Sequence, residues 1–148
     1  MPMLLEGSIR TSGPAETVLL GLTRVETLTA ISPAGFEFRT VEGGVAEFVI
    51  RRGFGPITLT LQGKMSVEKA DAGYKLEIKA AHLIGGRVLV ALDATCGEAE
   101  GQGILSWKGE LTAQGMAGRL LSERSDRANE ILGNLFIRLR DHVEGAAA

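Results

Sequence analysis

With 148 residues, of which 45% are hydrophobic and 23% charged, the chain has the size and balance of one ordinary globular domain, which excludes global disorder. A formal net charge of −2 gives no electrostatic case for nucleic acid, whose phosphates call for clustered Lys and Arg. The single cysteine, Cys96, excludes an internal disulfide, and no run approaches the roughly 18 apolar residues that cross a bilayer.

Met3 to Arg10 alternates, with Leu5 and Ile9 on one side and Glu6, Ser8 and Arg10 on the other, which predicts a half-buried strand. Ser12-Gly13-Pro14 supplies a helix start, with Ser12 as the expected cap. Val18 and Leu22, then Val25 and Leu28, predict two short helices broken near Gly21 to Thr23 and ended by Ser32-Pro33-Ala34-Gly35. Six further strands follow. Phe36 and Phe38 alternate with Glu37 and Arg39, Glu42-Gly43-Gly44 signals a hairpin, and Ala46, Phe48 and Ile50 alternate with Glu47 and Arg51. After a turn at Gly53-Phe54-Gly55-Pro56, Ile57, Leu59, Leu61, Met65 and Val67 share one face, with Gly63 on that face as the expected bend of a curved sheet. Asp71-Ala72-Gly73 turns the chain into a strand carrying Tyr74, Leu76, Ile78 and Ala80. Gly86 to Thr95 forms a less regular strand, Cys96 to Gly103 is expected as a loop, and Leu105, Trp107 and Leu111 mark the last strand.

From Ala117 to Val143, the residues Ala117, Leu121, Ala128, Leu132, Leu135, Leu139 and Val143 recur at helical steps, widened by Leu120, Ile131 and Phe136. Such a helix spans roughly 40 Å at about 1.5 Å per residue. Its arginines, Arg119, Arg124, Arg127, Arg138 and Arg140, are interleaved with Glu123, Asp126, Glu130 and Asp141, as on a solvated face. The expected architecture is one α+β domain over residues 1–148, with seven antiparallel strands curved around the long C-terminal helix. A sheet with one apolar face must cover it, and the long helix is the element large enough.

Chemistry-bearing motifs are sparse. His82 and His142 have no Cys or Asp at metal spacing beside them, so no metal is expected, and no cofactor. There is no Gly-x-Ser-x-Gly elbow, P-loop or Gly-x-Gly-x-x-Gly, and Glu98 and Glu100 sit among glycines where water keeps them ordinary. No catalytic residue is assigned. Between sheet and helix, a concave face of Phe38, Phe48, Leu59, Leu61, Met65, Leu76, Leu105 and Trp107 is expected to meet Leu121, Ala128, Leu132 and Leu135. Arg124 and Ser125 fall in or at the edge of the helix's apolar stripe; Arg124 either snorkels to water or meets a polar headgroup. Trp107, the one tryptophan, either fills core or stacks on a flat ring in a cavity.

Glu6-Gly7-Ser8, Pro14-Ala15-Glu16-Thr17-Val18, Gly53-Phe54-Gly55-Pro56-Ile57 with Gly63-Lys64, and Gly115 to Leu120 leading to Phe136 resemble the CoxG family of carbon monoxide dehydrogenase proteins. The resemblance covers nearly the whole chain, and its motifs are structural. It implies a START-like, SRPBCC helix-grip fold. It also implies an accessory protein of a carbon monoxide dehydrogenase-type molybdenum hydroxylase that binds a quinone or lipid, with peripheral association at the inner face of the membrane. Met1 to Glu6 lacks the basic and apolar regions of a signal peptide, so a cytoplasmic location is expected by elimination.

The function expected from the sequence is therefore non-enzymatic binding of an apolar or amphipathic small molecule. Two alternatives stand beside it: a small polyketide-cyclase-type enzyme, and a protein–protein adaptor with a fully packed core.

Overall fold

A computed structural model describes residues 3–32, 35–54, 56–71, 73–82, 86–115 and 128–147. The elements are β1 (Met3–Thr11), α1 (Ala15–Leu20), a 3-10 turn (Gly21–Thr23), α2 (Val25–Ile31), β2 (Phe36–Glu42), β3 (Val45–Phe54), β4 (Ile57–Ala70), β5 (Gly73–His82), β6 (Arg87–Ala99), β7 (Gln102–Gln114) and α3 (Ala128–Ala147). The seven strands form one antiparallel sheet in the order β1-β7-β6-β5-β4-β3-β2, so consecutive strands from β2 to β7 pair and β1 closes on β7. The part of the expected long helix before Ala128 lies outside the described residues.

Register turns the alternation of each strand into rows across the concave face. Met3, Leu111, Val90, Ile78, Met65 and Ala46 pair in one row, and Leu5, Gly109, Leu92, Leu76 and Val67 in the next. The core lies between this face and α3, with Leu105 and Leu139 wholly buried. Gly63 pairs with both Phe48 and Ala80. A side chain there would come within 2.7 Å of the Phe48 ring, so the bare backbone at Gly63 leaves the ring its place.

Two local expectations are corrected. Cys96 to Ala99 continue β6 in register with Gln102 to Leu105, and the turn shrinks to Glu100 and Gly101. Both turn residues have positive φ, 54° and 80°, as a tight hairpin turn needs. The segment Cys-Gly-Glu-Ala-Glu-Gly carries little strand propensity of its own; pairing with β7 imposes the extended form. Nor does Ser12 cap α1: Pro14 holds the cap position without a side-chain bond. The backbone N–H of Ser12 instead donates to Glu144 (2.6 Å).

That contact belongs to a series. β1 is an edge strand, and its outward backbone groups would otherwise be open to pairing with another chain. From α3, Asn129 accepts from the Glu6 N–H (3.0 Å) and donates to the Leu4 carbonyl (3.1 Å), as a neighbouring strand would. Arg140 donates to the Arg10 carbonyl (3.2 Å), and Glu144 accepts from Ser12. The helix thus caps the edge with side chains while covering the face.

Replacing Asn129 by alanine is expected to cost about 1 kcal/mol for two partly exposed hydrogen bonds. The melting temperature should drop by about 3 °C. Hydrogen exchange should show the Glu6 amide losing protection while the amides in the β4–β5 ladder keep theirs. Equal protection at Glu6 in both proteins would contradict the edge-capping role.

Candidate functional site

The long helix divides the space above the sheet. At the β1–β7–β6 end, Phe136 stacks on Trp107 with ring centroids 4.2 Å apart and planes 21° from parallel. Trp107 also lies over Gly7, its cross-strand partner, where an added Cβ would stand 2.5 Å from indole Cζ2. The indole is 4% exposed, and its Nε1 has no hydrogen-bond partner among the described residues. Leu139 and Val143 continue this packed face of α3 against Gly21.

At the β2–β5 end the space stays open. A cavity of about 380 Å³ is walled by Phe36 and Phe38 of β2, Phe48 and Ile50 of β3, Met65 of β4 and Ile78 of β5. Leu22, Leu28 and Ile31 form its end, and Ile131 and Leu135 of α3 its roof. Phe38 and Phe48 meet at 6.0 Å with planes tilted by 51°, which fixes the floor. Among the described residues, three polar side chains reach the lining: Ser32, Asn134 and Arg138. Ser32 Oγ donates to the Leu28 carbonyl (2.6 Å), so its proton is already placed. Ile131 is 62% exposed and Asn134 and Arg138 are exposed as well, which puts the mouth along this face of α3.

The site residues expected from the sequence separate accordingly. Phe38, Phe48 and Met65 line the cavity, joined by Leu135. Leu76, Leu105 and Trp107 are buried in the packed part of the core instead. Of the two readings of Trp107, it fills core rather than offering a flat-ring seat, because Phe136 occupies that face of the indole. Leu61 and Leu132 are half-buried against the core and do not reach the lining. Leu121, Arg124 and Ser125 lie outside the described residues; Leu59 and Ala128 have backbone places in β4 and α3 alone. The sequence reading missed Arg138 and Asn134. The signal was available: with Ile131 and Leu135 they sit at steps of three and four, on a face adjoining the apolar stripe.

No protein-family model matches the chain, and no curated protein sequence matches it. Solved structures do. A conserved protein from Geobacillus kaustophilus superposes with a TM-score of 0.65 at 14% identity, over 97% of each chain. The ZhuI aromatase/cyclase from Streptomyces sp. R1128 gives 0.63 at 15% identity, over 97% of this chain and 96% of that one. Norcoclaurine synthase from Thalictrum flavum, solved with a transition-state analogue, gives 0.58 at 8% identity, over 100% and 98%. This likeness shows the fold: a seven-stranded antiparallel sheet gripping a C-terminal helix, with two short helices after the first strand, the helix-grip arrangement.

A second recess, with a more polar lining, lies by the β6–β7 turn, lined among others by Ser12, Glu16, Cys96 and Glu98. Tyr74 donates its hydroxyl proton to Glu16 at its edge, tying α1 to β5. The hydrogen bond to Glu16, then burial and the carboxylate's charge, push the Tyr74 phenol up to about 12. Burial, then Glu16, raises the Cys96 thiol as well, so it stays protonated and a poor nucleophile.

Tyr74 is the one tyrosine, so its ultraviolet titration has one source. The folded phenol should ionise near pH 12 against 10.0 for the ordinary group. Glu16→Ala should bring the midpoint back toward 10, the ordinary tyrosine value. Because the folded value is the higher, the stabilisation is complete below pH 10 and is lost as pH rises toward 12. A midpoint unchanged in the variant would contradict the assigned partner.

Proposed function

We propose that the chain is a non-enzymatic binder of an amphipathic small molecule, held in the cavity between β2–β5 and α3. The observation that carries the proposal is the cavity's composition, with an apolar floor, end and roof and its free polar groups confined to the mouth. Its volume of about 380 Å³ falls in the range of roughly 300–1,000 Å³ usual for small-molecule sites. A fully packed adaptor core would have no such space.

The chemistry of the lining supports binding rather than turnover. Among the described lining residues there is no carboxylate, imidazole, thiol or amine. Arg138 cannot serve as a general base near neutral pH, and the Ser32 hydroxyl has no base beside it to activate it. The likeness to an aromatase/cyclase favours a second reading, a small cyclase-type enzyme acting on a bound aromatic. Turnover of an aromatic polyketide by the purified chain would move that reading into first place.

At a finer level, the resemblance to CoxG proteins in Glu6-Gly7-Ser8 and Gly53-Phe54-Gly55-Pro56-Ile57 supports an accessory role beside a molybdenum hydroxylase, at the inner face of the membrane. No helix among the described residues is long and apolar enough to cross a membrane. Of the two ligand classes this role implies, quinone and lipid, the lipid is better supported, since Phe136 already takes the aromatic seat on Trp107.

Burying a ten-carbon tail gains roughly 8 kcal/mol at about 0.8 per methylene. Association costs of about 4–15 kcal/mol offset much of this. Micromolar affinity is therefore the upper expectation. Calorimetric titration with decanol is expected to show saturable binding at one site, weakened at least tenfold by Ile78→Trp, which fills the floor, with the melting temperature preserved. Absence of binding below millimolar decanol would contradict the proposal.

A further inference from the structure

The geometry points to an anionic head on the ligand: a carboxylate held at the cavity mouth by Arg138 and Asn134, with its aliphatic tail beneath Leu135. This rests on the reading of the cavity as the binding site and goes beyond it by assigning the head's charge and the residues that select it.

Asn134 and Arg138 stand one helical turn apart on α3, on the face that also carries Ile131 and Leu135. Of the three polar side chains in the described lining, Ser32 already donates its hydroxyl hydrogen bond to the Leu28 carbonyl. Among the described lining residues, the amide of Asn134 and the guanidinium of Arg138 are thus the donors left for a ligand. No acidic residue is among the described lining, and among the described residues Arg138 takes part in no ion pair. Its neighbour Arg140 is engaged elsewhere, by Asp141 and the Arg10 carbonyl. A guanidinium offers two parallel N–H donors that match the two oxygens of a carboxylate, and the amide N–H₂ adds a third. A neutral head of the same size would use one of these donors and leave the positive charge uncompensated.

The test compares two probes with the same tail, decanoate and decanol, by calorimetric titration of the full chain and of Arg138→Gln. Decanoate is expected to bind about tenfold more tightly than decanol, the effect of a charge-assisted pair discounted for exposure at the mouth. Arg138→Gln should abolish that preference by weakening decanoate far more than decanol, and Arg138→Lys should restore part of it. The preference should also shrink as salt rises, because an exposed pair is screened. If both probes bind equally to the unaltered chain, or if Arg138→Gln leaves the preference intact, the anionic head is overturned while the cavity reading stands. If neither probe binds, both are overturned together.

Discussion

Phe136 lies flat on Trp107, and through this contact the long helix is fixed to the sheet. The pair stands at the β7 end of the concave face, where Gly7 clears the space for the indole and Leu105 and Leu139 seal the surroundings. An aromatic stack adds about 0.5–1.5 kcal/mol beyond the area it buries. Its larger consequence is positional. With the middle of α3 drawn onto β7 at Phe136 and its length tied along β1 by Asn129, Arg140 and Glu144, the same helix cannot also close down on β2 and β3. The space left there becomes the cavity.

From that division follows a simple partition of α3. One face, with Phe136, Leu139 and Val143, is structural. The adjoining face, with Ile131, Asn134, Leu135 and Arg138, borders the open space. The short helices α1 and α2, with the 3-10 turn between them, have the same double duty. Val18 and Leu19 are core, whereas Leu22, Leu28 and Ile31 close the cavity's end. Binding and stability are thus carried by neighbouring residues of the same elements. An alteration at Trp107 should act on folding, and one at Ile78 or Arg138 on the ligand.

The sheet was legible in the sequence because alternation is a local signal. Tyr74, Leu76, Ile78 and Ala80 declare one face within a few residues, and the pairing register follows once each strand does the same. Cys96 to Ala99 escaped because their extended form comes from β7, not from their own side chains. The capping of β1 was invisible for a related reason. Asn129 and Glu6 are 123 positions apart, and nothing in either residue announces the other. The candidate site was half legible. Phe38, Phe48 and Met65 followed from the apolar face, but which part of that face stays open depends on where a rigid helix comes to rest. Trp107 illustrates the limit: its position on the concave face was readable, and its burial under Phe136 was not.

The central claim is that the open end lies under β2–β5 and the closed end under Trp107. It is tested most directly by a crystal structure of the chain grown with a tail-brominated decanol, whose bromine is located by its anomalous signal. One bromine peak is expected between Phe48, Met65 and Ile78, with the Trp107–Phe136 stack unchanged. A peak between Trp107 and Phe136, with the two rings parted, would contradict it.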